Sequence, residues 1–291
     1  MVSPTDLVNA MVSGILVGSI YSLIAMGLAL IWGVMNIINF AHGDFMMLGA
    51  FLTYWVYTLL GLDPLLSIPI TFITIFLLGV LIQKGVIDRI LEAPLLSQIA
   101  ATFALVLIIR YGAEAWFGPF TRRIVTSYTG EVINLGPLIL PLARLLALIV
   151  SIIVVLVLYI FLTRTYVGIA LRATSQDREA AQLHGINVST MYKLAFGLGT
   201  GIAAIGGLLL STFYPIYPEM GGYFALLAFI IVVFGGFGSV FGAYISGLII
   251  GVAQSVSALF ILPTLKDVVA FLIFILVILF KPTGLFGKGG G

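Results

Sequence analysis

The stretch Gly14-Ile-Leu-Val-Gly-Ser-Ile-Tyr-Ser-Leu-Ile-Ala-Met-Gly-Leu-Ala-Leu-Ile-Trp-Gly-Val34 decides the fold, because it carries no charged side chain. It lies within a longer run, Leu7–Gly43, that has no Asp, Glu, Lys or Arg. A helix needs about 20 apolar residues to cross the hydrocarbon of a bilayer. The run therefore predicts a membrane-spanning helix with further chain attached.

The composition extends this interpretation to the whole chain. Of its 291 residues, 62% are hydrophobic and 8% are charged, and the mean hydropathy is +1.25. Soluble domains are about half apolar and a quarter charged, so membrane lipid must be the solvent for most of this surface. The net charge of +2 indicates no nucleic-acid partner. The absence of cysteine excludes disulfides and thiolate metal sites.

The other charge-poor runs predict an all-α, polytopic transmembrane helix bundle of eight or nine spans, formed by residues 1–291 as one domain. Met220–Leu265 is long enough for two crossings, or for one crossing and a re-entrant piece. The last run opens with Thr264-x-x-Asp267, a helix-start pattern, and ends at Lys281-Pro282. The runs after the first are Phe45–Leu62, Pro64–Gln83, Ala93–Ile109, Gly136–Thr163, Leu194–Pro218, Met220–Leu265 and Thr264–Phe280.

Basic residues predict the orientation, since cytoplasmic loops are enriched in them. The loop 164–193 carries Arg164, Arg172, Arg178 and Lys193, which places it in the cytoplasm together with the loop 84–92. The segment 117–134 and the N-terminus are then external. The C-terminal end, with Lys281 and Lys288, is cytoplasmic if Met220–Leu265 crosses twice.

Four polar residues interrupt the apolar sequence after the first span: Asn36, Asn39, His42 and Asp44. Unpartnered polar groups are costly in hydrocarbon. The cluster is therefore either a short cytoplasmic turn or an interrupted segment that lines a translocation path or its inner gate. His42 and His184 have no neighbours at metal-ligand spacing, so no metal site is expected.

The loop 164–193 contains a predicted short helix outside the bilayer. Thr174-x-x-Asp177 is a helix-start pattern, Glu179 suits the first turn, and Gly185 is a natural stop. One interpretation is a surface helix at the lipid headgroups. The other is a docking element, in which small alanines allow close approach and arginines offer charged contacts. Its candidate contact residues are Arg172, Asp177, Arg178, Glu179, Ala180, Ala181 and Gly185.

Glycines at spacings of four indicate close helix packing, within the chain or against a second subunit. Gly14/Gly18 and Gly197/Gly201 share this spacing with a late glycine cluster, in which Gly235 and Gly236 are also expected to break a helix. The late cluster consists of Gly235, Gly236, Gly238, Gly242, Gly247 and Gly251.

The sequence lacks the patterns of catalysis. It has no phosphate-binding Gly-x-x-x-x-Gly-Lys-Ser/Thr loop and no catalytic triad or carboxylate pair, so we expect no enzyme activity, no catalytic residue and no cofactor in this chain. Arg110, Glu114 and Arg144 are expected near span ends, which leaves the bilayer centre without charge. Ion-driven carriers usually need intramembrane carboxylates, so the driving energy is expected from another subunit.

Three motifs resemble those of branched-chain amino-acid ABC transporter permeases. They are Asn39-Phe-Ala-His-Gly43 after Gly18-x-x-Tyr21-x-Leu23-x-Ala25-x-Gly27, then Arg172-Ala173 with Glu179-Ala-Ala-x-x-x-Gly185, and Gly235-Gly-x-Gly-Ser-Val-x-Gly242. The resemblance covers nearly the whole chain, and its length is similar to the H-type membrane subunit.

This resemblance implies a multi-pass protein of the cell (inner) membrane that works in a larger complex. The implied partners are a second permease subunit (M-type or a second copy), two ATP-binding-cassette ATPases that hold ATP and Mg, and an external solute-binding protein. It also implies that the segment 164–193 couples the permease to an ATPase. A permease for urea or short-chain amides and a self-sufficient channel or ion-coupled carrier remain alternatives.

Overall fold

A computed structural model describes residues 3–287, so Lys288 lies outside the described residues. The described chain folds into eleven α-helices and one two-stranded hairpin. The helices are α1 Pro4–Met35, α2 His42–Leu60, α3 Ile68–Gly85, α4 Leu95–Phe117, α5 Leu142–Arg164, α6 Tyr166–Gln176, α7 Arg178–Leu183, α8 Val188–Ser211, α9 Met220–Gly235, α10 Val240–Ser257 and α11 Lys266–Phe280. The strands are β1 Val132–Leu135 and β2 Leu138–Pro141.

The structure is a helical bundle in which six helical segments are long and apolar enough to cross a membrane. They are Pro4–Met35, Ile68–Arg89, Leu95–Phe117, Leu142–Arg164, Val188–Ser211 and Val240–Ser257. The core is built around α1 and α8, since 89% of the most apolar window of each is buried, compared with 22% in α4 and in α5. Helices α4 and α5 therefore present most of their surface outward.

The hairpin departs from the all-α prediction. It joins α4 to α5, and its strands pair in antiparallel register with Leu135 opposite Leu138. Gly136 has a φ of +63°, which allows the tight turn between them. Helix α5 consequently begins at Leu142 and not at Gly136, because the residues before it are used in β2.

The hairpin is tied to the start of α1. The Asn9 amide donates to the carbonyl O of Pro137 at 2.9 Å and accepts from the Ile139 N–H at 3.0 Å. In the preceding loop, the Tyr128 hydroxyl donates to Asp63 Oδ1 at 3.1 Å. Burial and the neighbouring Asp63 carboxylate raise the pKa of Tyr128, so this phenol remains a donor at neutral pH.

Helix α2 begins inside the bundle, not at its end. Helix α1 stops at Asn36, whose φ of +53° reverses the chain. Residues 36–41 then run back along α1, and His42 Nε2–H donates to the carbonyl O of Ile24 at 2.8 Å. Thr102 of α4 covers this segment and donates to the carbonyl O of Ile38 at 3.1 Å. The segment is thus an interruption within the protein.

The glycines at spacings of four in α1 and α10 pack against each other. A Cβ on Gly18 would lie 2.8 Å from the carbonyl O of Gly247, and one on Gly14 would lie 2.8 Å from that of Gly251. Gly197 and Gly201 similarly leave room for aromatic side chains of α3. These contacts lie within one chain.

The late glycine cluster also separates α9 from α10. Helix α9 ends at Gly235, and Gly236 and Gly238 have φ values of +97° and +76°. Gly235 and Gly242 then pack against each other across the turn.

Two helix starts differ from the sequence patterns. Helix α7 is capped by Asp177, which accepts from the N–H groups of Glu179 and Ala180, whereas Thr174 lies inside α6 and donates to the carbonyl O of Ala170 at 2.9 Å. Helix α11 begins at Lys266 without a side-chain cap from Thr264. The Asp267 carboxylate is instead used in contacts with α9 and α10.

Candidate functional site

Two cavities lie along α1, one near each end of this helix. The first has a volume of about 1010 Å³ and lies at the end predicted to face the cytoplasm. We call it the inner cavity. Its walls come from the end of α1, the end of α5, α6, and the turn before α10, and they include Asn36, Arg172, Gln176, Gly238 and Ser239.

The inner cavity therefore joins residues from all three sequence motifs. Asn36 belongs to the polar cluster, Arg172 to the loop 164–193, and Gly238 to the late glycine cluster. Beside it, the rings of Trp32 and Phe237 stack with centroids 4.5 Å apart. Movement of α6 would change the shape of this cavity directly, because Arg172 and Gln176 form part of its wall.

The second cavity has a volume of about 630 Å³ and lies at the N-terminal end of α1. We call it the outer cavity. One face of α1 lines it from Asp6 through Ser13 to Tyr21, and the start of α5 and the end of α10 form the other walls with Arg144 and Gln254. The two cavities thus lie between the same three helices, α1, α5 and α10.

A hydrogen-bonded barrier joins these three helices between the cavities. The Ser151 hydroxyl of α5 donates to the carbonyl O of Ser19 at 3.0 Å and lies 3.2 Å from the Tyr244 hydroxyl of α10. The Ser22 hydroxyl also contacts the carbonyl O of Tyr244, at 2.6 Å. Ser19, Ser22 and Ser151 are fully buried, so these polar contacts lie in the packed interior between the two cavities.

The four residues predicted at a path or gate have separate positions. Asn36 is exposed and lines the inner cavity. Asn39, His42 and Asp44 are fully buried, and neither of the two cavities described among residues 3–287 is lined by them. His42 holds the end of the interrupted segment against α1 and Asp44 contacts α4, whereas Asn39 accepts from the Ala41 N–H within the segment.

The sequence interpretation missed Arg110. Its Nε donates to Asp44 Oδ1 at 3.0 Å. The two side chains form the ion pair found among residues 3–287. Asp44 is in the first turn of α2, inside the bundle. A carboxylate inside the bundle is thus neutralised by a guanidinium from a neighbouring helix, and the expectation that the bilayer centre carries no charge stays a prediction. The sequence did contain a signal for this pair, since Asp44 and Arg110 are an acid and a base that each stand beside a long charge-free run.

The predicted docking residues lie on α6 and α7 and the turn after them. Arg172, Asp177, Arg178, Glu179 and Gly185 are exposed, and Gly185 has a φ of +81° that ends α7. Ala180 is half-buried, and Ala181 is buried against the chain itself. Ala181 therefore cannot serve as an exposed contact in this conformation. Leu183, which the sequence interpretation missed, is 88% exposed at the end of α7.

Within the described part of the chain, no group of three or more His, Cys, Asp or Glu side chains could hold a metal ion. Polar groups line the two cavities, form the barrier, hold the buried start of α2, or lie on the exposed surface of α6 and α7. This distribution suits passage of a solute between helices.

The chain is similar to known proteins of one family. Residues 10–278 match the family model described as branched-chain amino acid transport system / permease component. The chain is 31% identical over 291 residues to the high-affinity branched-chain amino acid transport system permease protein BraD of Pseudomonas aeruginosa, covering 96% of this chain and 95% of the relative. It is 30% identical over 292 residues to LivH of Escherichia coli K12, which bears the same description, covering 96% and 94%. No solved structure matches the chain.

Proposed function

Because the chain belongs to the branched-chain amino acid transport permease family, we propose that it forms the path for branched-chain amino acids in an ATP-driven importer of the cell inner membrane. It is a multi-pass permease component and not itself an enzyme. The observation that carries the proposal is the pair of cavities along α1, with the Ser151–Tyr244 contact between them. Such an arrangement suits alternating access.

We propose nine passes of the membrane, with the N-terminus external and the C-terminus cytoplasmic. The interrupted segment 36–41 and α2 together make one pass, and α9 and α10 make two. The remaining passes are α1, α3, α4, α5, α8 and α11. The C-terminal segment supports this orientation, since the Leu285 and Phe286 N–H groups bond to the carbonyls of Phe234 and Gly235 at 2.8 and 3.1 Å, beside the inner cavity.

We further propose that residues 1–291 form one transmembrane domain whose segment 164–193 couples it to an ATPase. Leu183 offers an apolar anchor on this segment, and exposed Arg178 and Glu179 offer charged contacts beside it. Because α6 also forms a wall of the inner cavity, a push on α7 reaches the path through packed helices.

The proposed complex contains a second permease subunit, two ATPases that hold ATP and Mg, and an external binding protein. The outward surfaces of α4 and α5 support a further membrane partner, since Ile108 and Val157 on them are 68% and 61% exposed. Lipid covers whatever part of these surfaces the partner leaves free.

Transport by the complete complex tests the proposal. The chain is co-expressed with its partners, purified and reconstituted in proteoliposomes, and uptake of radiolabelled L-leucine is measured with and without internal ATP. We expect uptake only with ATP and binding protein. Uptake of urea or acetamide in preference to leucine would favour an amide permease, and leucine flux through the chain alone would favour a channel or carrier; either result contradicts the proposal.

A further inference from the structure

Arg144 lies in the wall of the outer cavity with most of its hydrogen-bonding capacity unused. It is the third residue of α5 and is half-buried. Its one hydrogen bond among residues 3–287 runs from NH1 to the Ser13 hydroxyl at 3.2 Å, and its guanidinium lies 5.3 Å from the centre of the Phe213 ring. A guanidinium has five N–H donors in a planar fork, so this contact leaves four for another group.

Arg144 also lacks a counter-ion in the described part of the chain. The salt bridge found there joins two other residues, Arg110 and Asp44. Asp6 lies at the rim of the same cavity, but its carboxylate accepts from the Ser3 N–H at 2.9 Å and caps α1. Desolvation of a cation without a partner is costly. Arg144 has the Phe213 ring and the Ser13 hydroxyl as partners but no carboxylate, so its positive charge is available to an anion that enters the cavity.

The shape of the outer cavity suits a small molecule that enters from the outer side. The cavity follows one face of α1 from Asp6 to Tyr21, a distance of about 22 Å at 1.5 Å per residue. Its volume of about 630 Å³ is within the range typical of small-ligand sites. Val17 and Leu259 give it apolar wall, and Gln254 is held in place by donating to Asp267 Oδ1 at 2.9 Å.

We propose that the outer cavity is a binding site for a free amino acid, in which Arg144 binds the α-carboxylate. This inference rests on the proposed function, because it assigns the transported solute to one cavity of this chain. A planar guanidinium pairs with a carboxylate through two parallel hydrogen bonds. The aliphatic side chain lies against Val17 and Leu259, and the ammonium group remains hydrated on the open side of the cavity.

Protection of an engineered cysteine tests this site, and the chain has no cysteine of its own. Ser255→Cys places a thiol in the cavity wall. The assembled complex in nanodiscs, without binding protein, is treated with neutral N-ethylmaleimide, and labelling of this chain is followed by intact mass. We expect L-leucine at ten times its dissociation constant to slow labelling by about tenfold. Isoamylamine, which is leucine without its carboxylate, should not slow it.

Arg144→Gln in the Ser255→Cys background should abolish the protection by leucine. Arg123→Gln is the matched control, since Arg123 is an exposed arginine in the loop before the hairpin. If Arg144→Gln does not yield a folded complex, Arg144→Lys keeps the charge without the planar fork and should weaken leucine binding. Protection that persists unchanged in the Arg144 variant, or equal protection by isoamylamine, would overturn the inference.

Two further measurements complete the test. The first distinguishes a free amino acid from a lipid headgroup as the occupant of the cavity, and the second separates failure of this inference from failure of the proposed function. Labelling that depends on the phosphatidylglycerol content of the nanodisc and not on leucine would assign the cavity to a lipid headgroup and overturn the inference. ATP-driven leucine uptake is measured in parallel on the parent complex. Uptake without Arg144-dependent protection overturns this inference alone, whereas absence of leucine uptake overturns the proposed function as well.

Discussion

Arg110 of α4 reaches across the bundle to Asp44 in the first turn of α2, and its Nε donates to Asp44 Oδ1 at 3.0 Å. The carboxylate is fully buried, while the arginine side chain is 23% exposed. Gly221 at the start of α9 packs against the same carboxylate. The pair therefore fixes the buried start of α2 to two other helices.

Removing either partner of this pair should destabilise the protein. Asp44→Asn leaves the Arg110 charge without its counter-ion, and breaking a buried pair costs roughly 3 kcal/mol. The double variant Asp44→Asn/Arg110→Gln should recover much of this loss, because it leaves no lone charge. Thermal denaturation of the detergent-solubilised chain, followed by fluorescence-detected size-exclusion chromatography, measures the effect. Losses that add in the double variant would mean that the two residues are not coupled.

The contact between α1 and α10 should not tolerate a side chain on Gly18. Gly18→Leu forces α10 away, since even a Cβ would lie 2.8 Å from the Gly247 carbonyl O. We expect little monodisperse protein on size-exclusion chromatography. Gly112→Leu on α4 is the matched control, because a Cβ at Gly112 meets nothing within 4 Å. Similar yields for the two variants would argue against tight packing here.

Charge-free runs predicted the helical bundle, and glycine spacing predicted which helix faces pack closely, but neither predicted the partners of those faces. Gly14/Gly18 and Gly247/Gly251 were recognisable as packing positions, but only the structure makes the two pairs each other's partners. The spacing of glycines along one helix specifies which face of that helix can pack closely, but it does not specify which other helix packs there. The same limit explains Arg110 and Asp44, which lie 66 residues apart in the chain.

The interrupted segment and the hairpin were harder to predict for a different reason. Asn36 to Ala41 reads equally well as a short turn between spans, and tertiary contacts such as His42 with Ile24 decide that it runs back along α1. The strands of the hairpin have four residues each, too few for an alternating pattern to stand out in an apolar chain. Arg144 was visible only as a charge near the start of a span.

Opening the barrier between the cavities should connect them. Tyr244→Ala removes the ring and the hydroxyl that lies 3.2 Å from Ser151. In inverted vesicles, a membrane-impermeant maleimide should then label Ser255→Cys in the outer cavity from the inner side. Tyr111→Ala, at a 62% exposed position of α4, is the control and should leave the thiol protected. A Tyr244→Ala variant that stays unlabelled would place the barrier elsewhere.

The exposed end of α7 should be required for ATPase binding. Leu183 is 88% exposed, and Leu183→Ser should reduce co-purification of the ATPase by about tenfold, as expected for an apolar anchor worth more than about 1 kcal/mol. Leu60→Ser, at a 65% exposed position at the other end of the bundle, should have no effect.

A stronger change of the same segment, Glu179→Lys/Gly185→Asp, should abolish uptake while membrane insertion is retained. Normal transport by that double variant would contradict the coupling role of segment 164–193.

Asn36 allows its backbone and side-chain roles to be separated. Its φ of +53° is costly for most residues, by about 1 kcal/mol, so Asn36→Ala should lower the melting temperature. Asn36→Gly accepts this backbone conformation and should restore stability, but it also removes the amide from the inner cavity. If the amide contacts solute, leucine uptake falls in both variants, whereas stability falls only in the alanine variant. Wild-type uptake by Asn36→Gly would assign Asn36 to the chain reversal alone. Other residues of the inner cavity would then have to contact the solute, and Arg172 and Ser239 would be substituted next.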